Sequence, residues 1–457
     1  MGNIRAMTVL ALVFALLMAG MVHSGMPSGG WQKHDDARAK NVVFLVGDGM
    51  GIPVLTAARI YYAGENGTLA IDSMPVTAMV KTYSKNYMVT DSAAAMTAYM
   101  TGTKVENGII SLSADAVRSD STAGDAYTSG TPVPTLLELA EAEGKCTGVV
   151  TTTRITHATP AAAYAHADNR DKENQIAAQL VPGTSEYNSA LGDGVEVILG
   201  GGRRHFLPVE LGGRREDGRN LIEEMQAAGY TYVSTAWELR ALPENTDKLL
   251  GLFAMSHLPY LVDGRGEAPS LEEMTEKAIE VLENSDRCRN GYFLVVEGGR
   301  IDHALHATNA LRALEETAEF DRTVRKVLEM VDLQDTLVVV TADHGHTLSI
   351  NGYPARGTSI LGLVRDASGQ LMTDRDGNTY TVLTFATGKN RPERRSNLSD
   401  AEVLSRDYHQ EAAIPMKSET HSGEDVVLKA AGSGAQHFGG TMDNTQVFWA
   451  VRSAAGL

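Results

Sequence analysis

The sequence YFLVVEGGRIDHALHA at residues 292–307 decides the fold. Its first five residues are apolar, aromatic or β-branched, as in a buried strand of a parallel sheet. Glu297 follows, and two glycines then lead to Asp302 and His306. If a helix begins near Arg300, this spacing places the Asp302 carboxylate and the His306 imidazole on one helix face. Such a pair suits zinc, whereas Glu297 at the strand end suits magnesium.

Apolar strands alternate with helical patterns on both sides of this stretch. We predict strands at 41–46, 147–153, 195–199, 292–296, 336–341 and 446–451, and helices at 53–63, 93–100, 135–143 and 311–330. The alternation is typical of an α/β fold whose mainly parallel sheet is sandwiched by helices. Residues 351–420 break the rhythm and are interpreted as an inserted surface subdomain, so that 41–350 and 421–457 form the core.

The first residues have the order of a secretory signal peptide. Arg5 precedes an apolar run, and small residues follow at Ser24 and Gly25. We therefore interpret 1–24 as a signal peptide and 25–40 as a leader, with export to a periplasm or to the medium. An uncleaved membrane anchor is the alternative. A lipid anchor at the C-terminus is not expected, because no apolar tail is found there.

Charge and cysteine content narrow the function classes. The 57 acidic and 40 basic residues give a net charge of −17, which argues against a nucleic-acid partner. Cys146 and Cys288 could form one disulfide, but each precedes a predicted buried strand. Two buried free thiols are the favoured interpretation.

Four acidic residues directly follow predicted strands or lie in the next turn, namely Asp48, Glu297, Asp302 and Asp343. The carboxyl ends of parallel strands face one crevice, so these carboxylates can share a pocket. His344 and His421 are candidate nitrogen ligands. Each histidine alone fits an ordinary core or surface position, and the 292–307 stretch alone fits a plain strand-to-helix junction. The joint pattern indicates a metal site.

Ser92 is the candidate nucleophile because it begins a predicted helix, whose free amides and dipole favour a phosphate. Asp91 or Ser92 as a simple helix cap explains the same residues. Arg170 is the candidate clamp, since a guanidinium binds two phosphate oxygens at once. His157 and Thr159 follow a predicted strand and could contact a metal held by Glu297.

Six motifs in order resemble the alkaline phosphatase family from about residue 41 to the C-terminus. The motifs are GDGMG at 47–51, TDSAAA at 90–95, HATPAAAYAHADNR at 157–170, VEGGRIDHALH at 296–306, TADHGH at 341–346 and ETHSGED at 419–425. The resemblance implies a sandwiched sheet, two zinc ions and one magnesium ion per chain, a homodimer, and hydrolysis of small phosphate monoesters through a phosphoserine at alkaline pH.

The resemblance also implies roles for individual residues. The ligands would be Asp302, His306 and His421 for the first zinc; Asp48, Asp343, His344 and Ser92 for the second; and Asp48, Thr159 and Glu297 for magnesium. Ser92 would carry the phosphoryl group and Arg170 would bind its oxygens.

Details of the motifs resemble the animal enzymes more than some bacterial members. His157 stands where those members carry an aspartate, and His303 where they carry a lysine, so His157 could bind a metal or position the magnesium site. Ala254 replaces an acidic calcium ligand of the animal enzymes, and we expect no calcium. The 351–420 insertion resembles the crown of their dimer interface.

The motifs disfavour one related function and leave two others open. A sulfatase of the same superfamily is disfavoured because Ser92 is followed by alanines instead of the C/S-x-P-x-R pattern. A phosphodiesterase and a catalytically silent protein that binds metal and phosphate remain alternatives.

Overall fold

A ten-stranded sheet forms the centre of the computed structural model, which describes residues 38–457. The strand order is β15-β2-β14-β8-β1-β7-β3-β4-β6-β5, and only the contacts of β14 with β2 and β8 are antiparallel. The predicted α/β class with a mainly parallel sheet is thus confirmed. The predicted signal peptide and residues 25–37 of the leader lie outside the described residues.

The strands are numbered along the chain. They are β1 Asn41–Gly47, β2 Val76–Lys81, β3 Cys146–Arg154, β4 Val197–Gly201, β5 Thr231–Val233, β6 Leu249–Leu252, β7 Tyr292–Glu297, β8 Thr336–Ala342, β9 Gly345–His346, β10 Leu348–Ile350, β11 Leu383–Gly388, β12 Ala412–Pro415, β13 His421–Ser422, β14 Val426–Gly432 and β15 Gly440–Asp443.

The α-helices are numbered in the same way. They are α1 Ile52–Ala63, α2 Ala70–Ser73, α3 Ser92–Thr101, α4 Leu136–Ala142, α5 Ala158–Tyr164, α6 Glu173–Ala178, α7 Leu221–Ala227, α8 Ala236–Arg240, α9 Leu271–Asn284, α10 Arg300–His306, α11 Ala310–Met330, α12 Asp400–Val403 and α13 Asn444–Ala455. Short 3-10 turns occur at Ser189–Leu191, Arg203–His205, Val209–Leu211, Leu261–Asp263, Asp286–Cys288 and Ala435–His437.

The middle strands of the sheet align the candidate ligands. Strand β1 lies between β7 and β8, and its residue Val46 pairs with Glu297 of β7. On the other side of β1, Gly47 pairs with Ala342 of β8. The register therefore brings Asp48, Glu297 and Asp343 to the same edge of the sheet. All residues of these three strands are buried, which explains their continuous apolar sequences.

Helix α3 is fixed at both ends by its sequence. The Asp91 side chain accepts a hydrogen bond from the Ala94 N–H at 3.0 Å, and Gly102 ends the helix with φ 68°. Asp91 is therefore the N-cap and Ser92 the first helical residue. Every residue of α3 is buried, so the position of Ser92 is set by close packing on all sides.

The 351–420 region contains β11 and β12, which form a three-stranded sheet with β10. Strand β11 runs antiparallel to β10 and parallel to β12. The chain then returns to the core through β13, which pairs with β9 so that His421 lies opposite His346.

The predicted last strand at 446–451 is wrong, because these residues belong to helix α13. Asp443 and Gln446 form a capping box at its start, and Gly456 ends it with φ 69°. The buried residues Val447, Phe448, Val451 and Ala454 recur with the spacing of one helix face. A short apolar run does not distinguish helix from strand, and the caps were the signal that decides.

The prediction of two free thiols is also wrong: Cys146 and Cys288 form a disulfide with a Cα–Cα distance of 5.1 Å. Cys146 is the first residue of the buried strand β3, and Cys288 precedes the buried strand β7. Those strands, β3 and β7, are neighbours in the sheet, and Cys146 pairs with Tyr292. The pairing depends on strand order, which the local sequence does not contain.

None of the helices within residues 38–457 is long and apolar enough to cross a lipid bilayer.

Candidate active site and metal centre

The carboxylate of Asp302, near the start of helix α10, lies beside the imidazoles of His306 and His421. Its Oδ1 atom is 3.3 Å from His306 Nε2 and 3.3 Å from His421 Nε2, and these two nitrogens are 3.1 Å apart. Ligands about 2.0–2.1 Å from a tetrahedral zinc are separated by roughly 3.3 Å. Three atoms at these mutual distances therefore fit one zinc-sized cation.

A second group with the same spacing lies around Asp48. His344 Nε2 is 3.3 Å from Asp48 Oδ1 and 3.3 Å from Asp343 Oδ2. The hydroxyl of Ser92 is 3.3 Å from His344 Nε2 and 3.5 Å from Asp48 Oδ1. The four predicted residues thus surround one point, and the Asp48 and Asp343 Oδ2 atoms are buried without a hydrogen-bond partner.

A third group contains Asp48, His157 and Glu297, whose ligand atoms lie within 4.8 Å of one another. Glu297 Oε2 accepts hydrogen bonds from Thr151 and, at 2.9 Å, from Thr153. Glu297 Oε1 and His157 Nδ1, together with the buried hydroxyl of Thr159, have no hydrogen-bond partner. Buried polar atoms left without partners are costly, and a cation would satisfy them.

The pKa values of these carboxyls also indicate that the pocket favours a bound positive charge. Burial, reinforced by Asp343, raises the pKa of Asp48 well above its usual value. Burial raises the pKa of Asp343 to about 6 and that of Glu297 to about 7. The pKa of Asp302 is instead held low, despite burial, by His306 and His346. Several neighbouring buried carboxyls that resist ionisation are typical of a metal site, because a bound cation stabilises their ionised forms.

Arg170 borders the same pocket and is held in place on both sides. Its Nη1 atom donates to Asp91 Oδ2 at 3.0 Å, and its Nη2 atom lies 3.2 Å from His157 Nε2. Asp91 thus caps the helix that begins at Ser92 and orients the guanidinium beside it. Burial, followed by the charge of Arg170, lowers the pKa of His157 well below its usual value, which keeps this imidazole neutral.

The structure brings all of the predicted site residues together at the carboxyl ends of β1, β7 and β8. Close packing there requires glycine at two points. Gly49 has φ +70°, and a Cβ atom on it would lie 2.5 Å from the His346 ring. A Cβ atom on Gly299 would lie 2.3 Å from Thr153. Both distances are too short for a Cβ atom. Glycine at these two positions therefore lets the backbone lie close to the side chains of the site.

Comparison of the chain with known proteins points to one family. The family model described as "Alkaline phosphatase" matches residues 39–457. An alkaline phosphatase of Gadus morhua is 39% identical over 451 residues, covering 92% of this chain and 92% of that protein. The human tissue-nonspecific isozyme is 36% identical over 449 residues, covering 91% and 83%.

The chain belongs to the alkaline phosphatase family. It is therefore a metal-binding hydrolase that acts on phosphate monoesters. Among solved structures, the Thermus thermophilus alkaline phosphatase is 28% identical with a TM-score of 0.68, covering 92% of both chains. The enzyme of the Antarctic bacterium TAB5, with 24% identity and a TM-score of 0.67 over 92% and 99%, supports the fold.

Two residues around the first metal group escaped the sequence reasoning. His346 Nε2 lies 2.8 Å from Asp302 Oδ1, and its Nδ1 atom lies 2.5 Å from Glu419 Oε2. The backbone oxygen of Glu419 in turn accepts a hydrogen bond from His306 Nδ1 at 2.7 Å. Both residues could have been found from their place in the sequence, since His346 comes two residues after His344 and Glu419 two residues before His421.

We expect His346→Ala and Glu419→Gln to weaken metal binding at the Asp302 group by about tenfold to a hundredfold, because partners of metal ligands orient them. Competition with a chromogenic zinc chelator measures the affinity directly. His437→Gln, at an exposed histidine, is the matched control. Unchanged zinc affinity in both site variants would contradict this role.

Glu297 provides a pH-dependent prediction for the metal-free enzyme. The pKa of Glu297 is about 7 in the folded protein, above the usual value of 4.5, so the folded state binds this proton more tightly than the unfolded chain. Its contribution to stability is therefore lost as the pH rises from about 4.5 to about 7. Glu297→Gln should be more stable than the parent by roughly 3 kcal/mol at pH 8 in chelator, and about equal at pH 4.

Urea unfolding at the two pH values measures this difference, with the exposed Glu210→Gln as control. Added magnesium should reverse the order at pH 8, because the carboxylate then gains a cation. A stability difference independent of pH would show that Glu297 ionises normally.

Proposed function

We propose that Ser92 is the nucleophile of a phosphate monoester hydrolysis that proceeds through a phosphoserine. The observation that carries this proposal is the location of its hydroxyl, 3.3 Å from His344 Nε2 at the first turn of a ten-residue helix. The free N–H groups of that turn favour a phosphate beside Ser92. The helix cap and the nucleophile are not alternatives here, because Asp91 supplies the cap.

The chemical steps follow from the groups around this hydroxyl. Ser92 Oγ attacks phosphorus, the bond between phosphorus and the ester oxygen breaks, and the alcohol leaves with a proton. Water then attacks the phosphoserine, which releases inorganic phosphate and restores the hydroxyl. Arg170 binds two phosphoryl oxygens throughout, and Asp91 keeps the guanidinium aligned for this contact.

Two zinc ions and one magnesium ion are the proposed cofactors. Their ligands would be the three groups of side chains described above, with Asp48 shared by the second zinc and the magnesium. Divalent ions supply charge stabilisation on phosphoryl oxygens and lower the pKa of bound hydroxyl groups. Nitrogen and oxygen donors at tetrahedral spacing support zinc, and the oxygen-rich surroundings of Glu297 and Thr159 support magnesium. His157 adds a nitrogen donor to this third group.

The charge of the site supports monoesters over diesters. Four carboxylates, Asp48, Glu297, Asp302 and Asp343, would be outweighed by the three proposed divalent cations together with Arg170. A surplus of positive charge favours the dianion of a monoester over the single charge of a diester.

Turnover of an aryl phosphate monoester and the matching diester tests this choice, together with elemental analysis of the metals. We expect faster monoester cleavage, an alkaline optimum, and two zinc and one magnesium per chain. Faster diester cleavage would favour the phosphodiesterase alternative.

Export and dimer formation complete the proposal. The disulfide between Cys146 and Cys288 suits an oxidising compartment, in line with the predicted signal peptide. The family resemblance of the 351–420 insertion to a dimer-forming crown supports a homodimer, which light scattering of the purified protein tests.

A further inference from the structure

The proposed clamp Arg170 lies in a segment without regular secondary structure. Residues 165–172 connect helix α5 to helix α6 and belong to neither a helix nor a strand, apart from one isolated bridge between Ala167 and Ile110. The backbone N–H of Arg170 donates to the Gly108 oxygen at 2.8 Å. The position of the Arg170 backbone therefore depends on contacts of this irregular segment with other parts of the chain.

A buried ion pair encloses Arg170 within the segment. Lys172 Nζ lies 2.7 Å from Asp168 Oδ1, and the two side chains are 1% and 0% exposed. Asp168 comes two residues before Arg170, and Lys172 comes two residues after it. The ion pair thus closes residues 168–172 on themselves, with Arg170 at the centre. A change in the pair acts directly on the backbone that carries the guanidinium.

An irregular loop at residues 119–131 is hydrogen-bonded to both members of the ion pair. Lys172 Nζ donates to the backbone oxygen of Asp125 at 2.7 Å. Asp168 Oδ2 accepts hydrogen bonds from the N–H and the hydroxyl of Thr128 at 2.8 and 3.0 Å. Asp125 and Thr128 are themselves exposed, so the loop separates the pair from solvent. Each charge is therefore fixed by its opposite charge and by the loop.

The energetics of burial suggest that this ion pair has a role besides stability. Removal of two opposite charges from water costs roughly as much free energy as their attraction regains, so two apolar side chains of similar volume would stabilise the fold equally well. Buried charges do, however, restrict the backbone to arrangements that keep their hydrogen bonds. Arg170 requires such precision, because a misplacement of about 1 Å can slow a reaction about a hundredfold.

We propose that Asp168 and Lys172 are positioning residues for the phosphate clamp, and that they act on the reaction through Arg170. The inference rests on the proposed role of Arg170 in binding the phosphoryl oxygens. Among residues 38–457, neither member of the pair belongs to a group that could hold a metal ion. The pair fixes the backbone of the clamp, while Asp91 holds its guanidinium at 3.0 Å.

A mutant cycle with Arg170 tests this role in the metal-loaded enzyme. Asp168→Asn/Lys172→Met removes both charges together, so that no single charge stays buried without its partner, and nearly keeps the side-chain volumes. We expect it to lower kcat/KM for an aryl phosphate, and the affinity for inorganic phosphate as inhibitor, by about tenfold or more. In an Arg170→Ala background the same change should alter either quantity by less than about twofold, because the group that it positions is already absent.

Two further variants separate positioning from a general loss of stability. Lys248→Met is the matched control, since Lys248 is also a buried lysine but precedes strand β6 at the amino end of the sheet. Its kinetics and phosphate affinity should equal those of the parent. Thr128→Val, at an exposed position, keeps the test decisive if the double variant does not fold. Loss of one hydrogen bond to Asp168 should weaken phosphate binding by at least about threefold, again only when Arg170 is present.

Parent-like phosphate affinity in the folded variants, or an equal loss with and without Arg170, would overturn the positioning role. The clamp would then still stand if Arg170→Ala alone lowers kcat/KM. Parent-like turnover by Arg170→Ala would instead overturn the clamp and the positioning role together. The assignment of Ser92 is tested separately, by the site of phosphorylation.

Discussion

Ser92→Ala is expected to lower kcat/KM for an aryl phosphate by at least about a hundredfold, the typical scale for loss of a nucleophile. The expected loss is in chemistry rather than in folding, because Ser92 contributes its hydroxyl to the site while Asp91 caps helix α3. Alanine also fits the first turn of a buried helix that already contains Ala93, Ala94 and Ala95. Steady-state kinetics with fixed zinc and magnesium provide the measurement.

A trapped intermediate identifies the residue independently of the rate. Brief reaction of the parent with substrate, followed by acid quenching and peptide mass spectrometry, should place one phosphoryl group on the peptide that contains Ser92. Ser111→Ala is a matched control, since Ser111 is also a fully buried serine but bonds the Ala162 oxygen away from the metal groups. Parent-like turnover by Ser92→Ala would exclude this nucleophile.

Removal of the disulfide is expected to cost about 2–5 kcal/mol in the free energy of unfolding. The bond closes a loop with a sequence separation of 142 residues, and a long loop loses much chain entropy in the unfolded state when it is cross-linked. Activity near room temperature should persist, because the bond lies at the amino ends of β3 and β7 and the metal groups lie at the carboxyl ends. Equilibrium urea unfolding of Cys146→Ala/Cys288→Ala gives the value.

Reduction separates the cross-link from the packing of the side chains. Dithiothreitol should destabilise the parent by most of the same amount and leave the double variant unchanged. If reduction of the parent does not shift the urea midpoint, the cross-link does not stabilise the fold, and the cysteines contribute to stability through side-chain packing alone.

The central strands and the ligands that follow them could be predicted from the sequence because their signals are local. Strands β1, β7 and β8 are continuous apolar runs, and Asp48, Glu297 and Asp343 come at or directly after their ends. Parallel pairing then places these residues at one edge. The disulfide, by contrast, required the order of β3 and β7 in the sheet, which no local pattern encodes.

The parts of the site that were missed connect elements far apart in the chain. Glu419 reaches His346 and His306 only because β13 pairs with β9, and two-residue strands have no periodicity to detect. Asp91 was recognised as a possible cap, but its second contact with Arg170 joins positions separated by 79 residues.

The order of strands in the central sheet has a consequence for biosynthesis. Strand β2, near the start of the domain, has only β14 and β15 as neighbours, and both belong to the last 32 residues of the chain. His421 likewise joins Asp302 only after 119 further residues have been made. A nascent chain therefore exposes an unfinished sheet and an incomplete metal site until His421, β14 and β15 have been made. Such late, non-local closure makes folding slow, which suits the proposed export of the chain across a membrane before it folds.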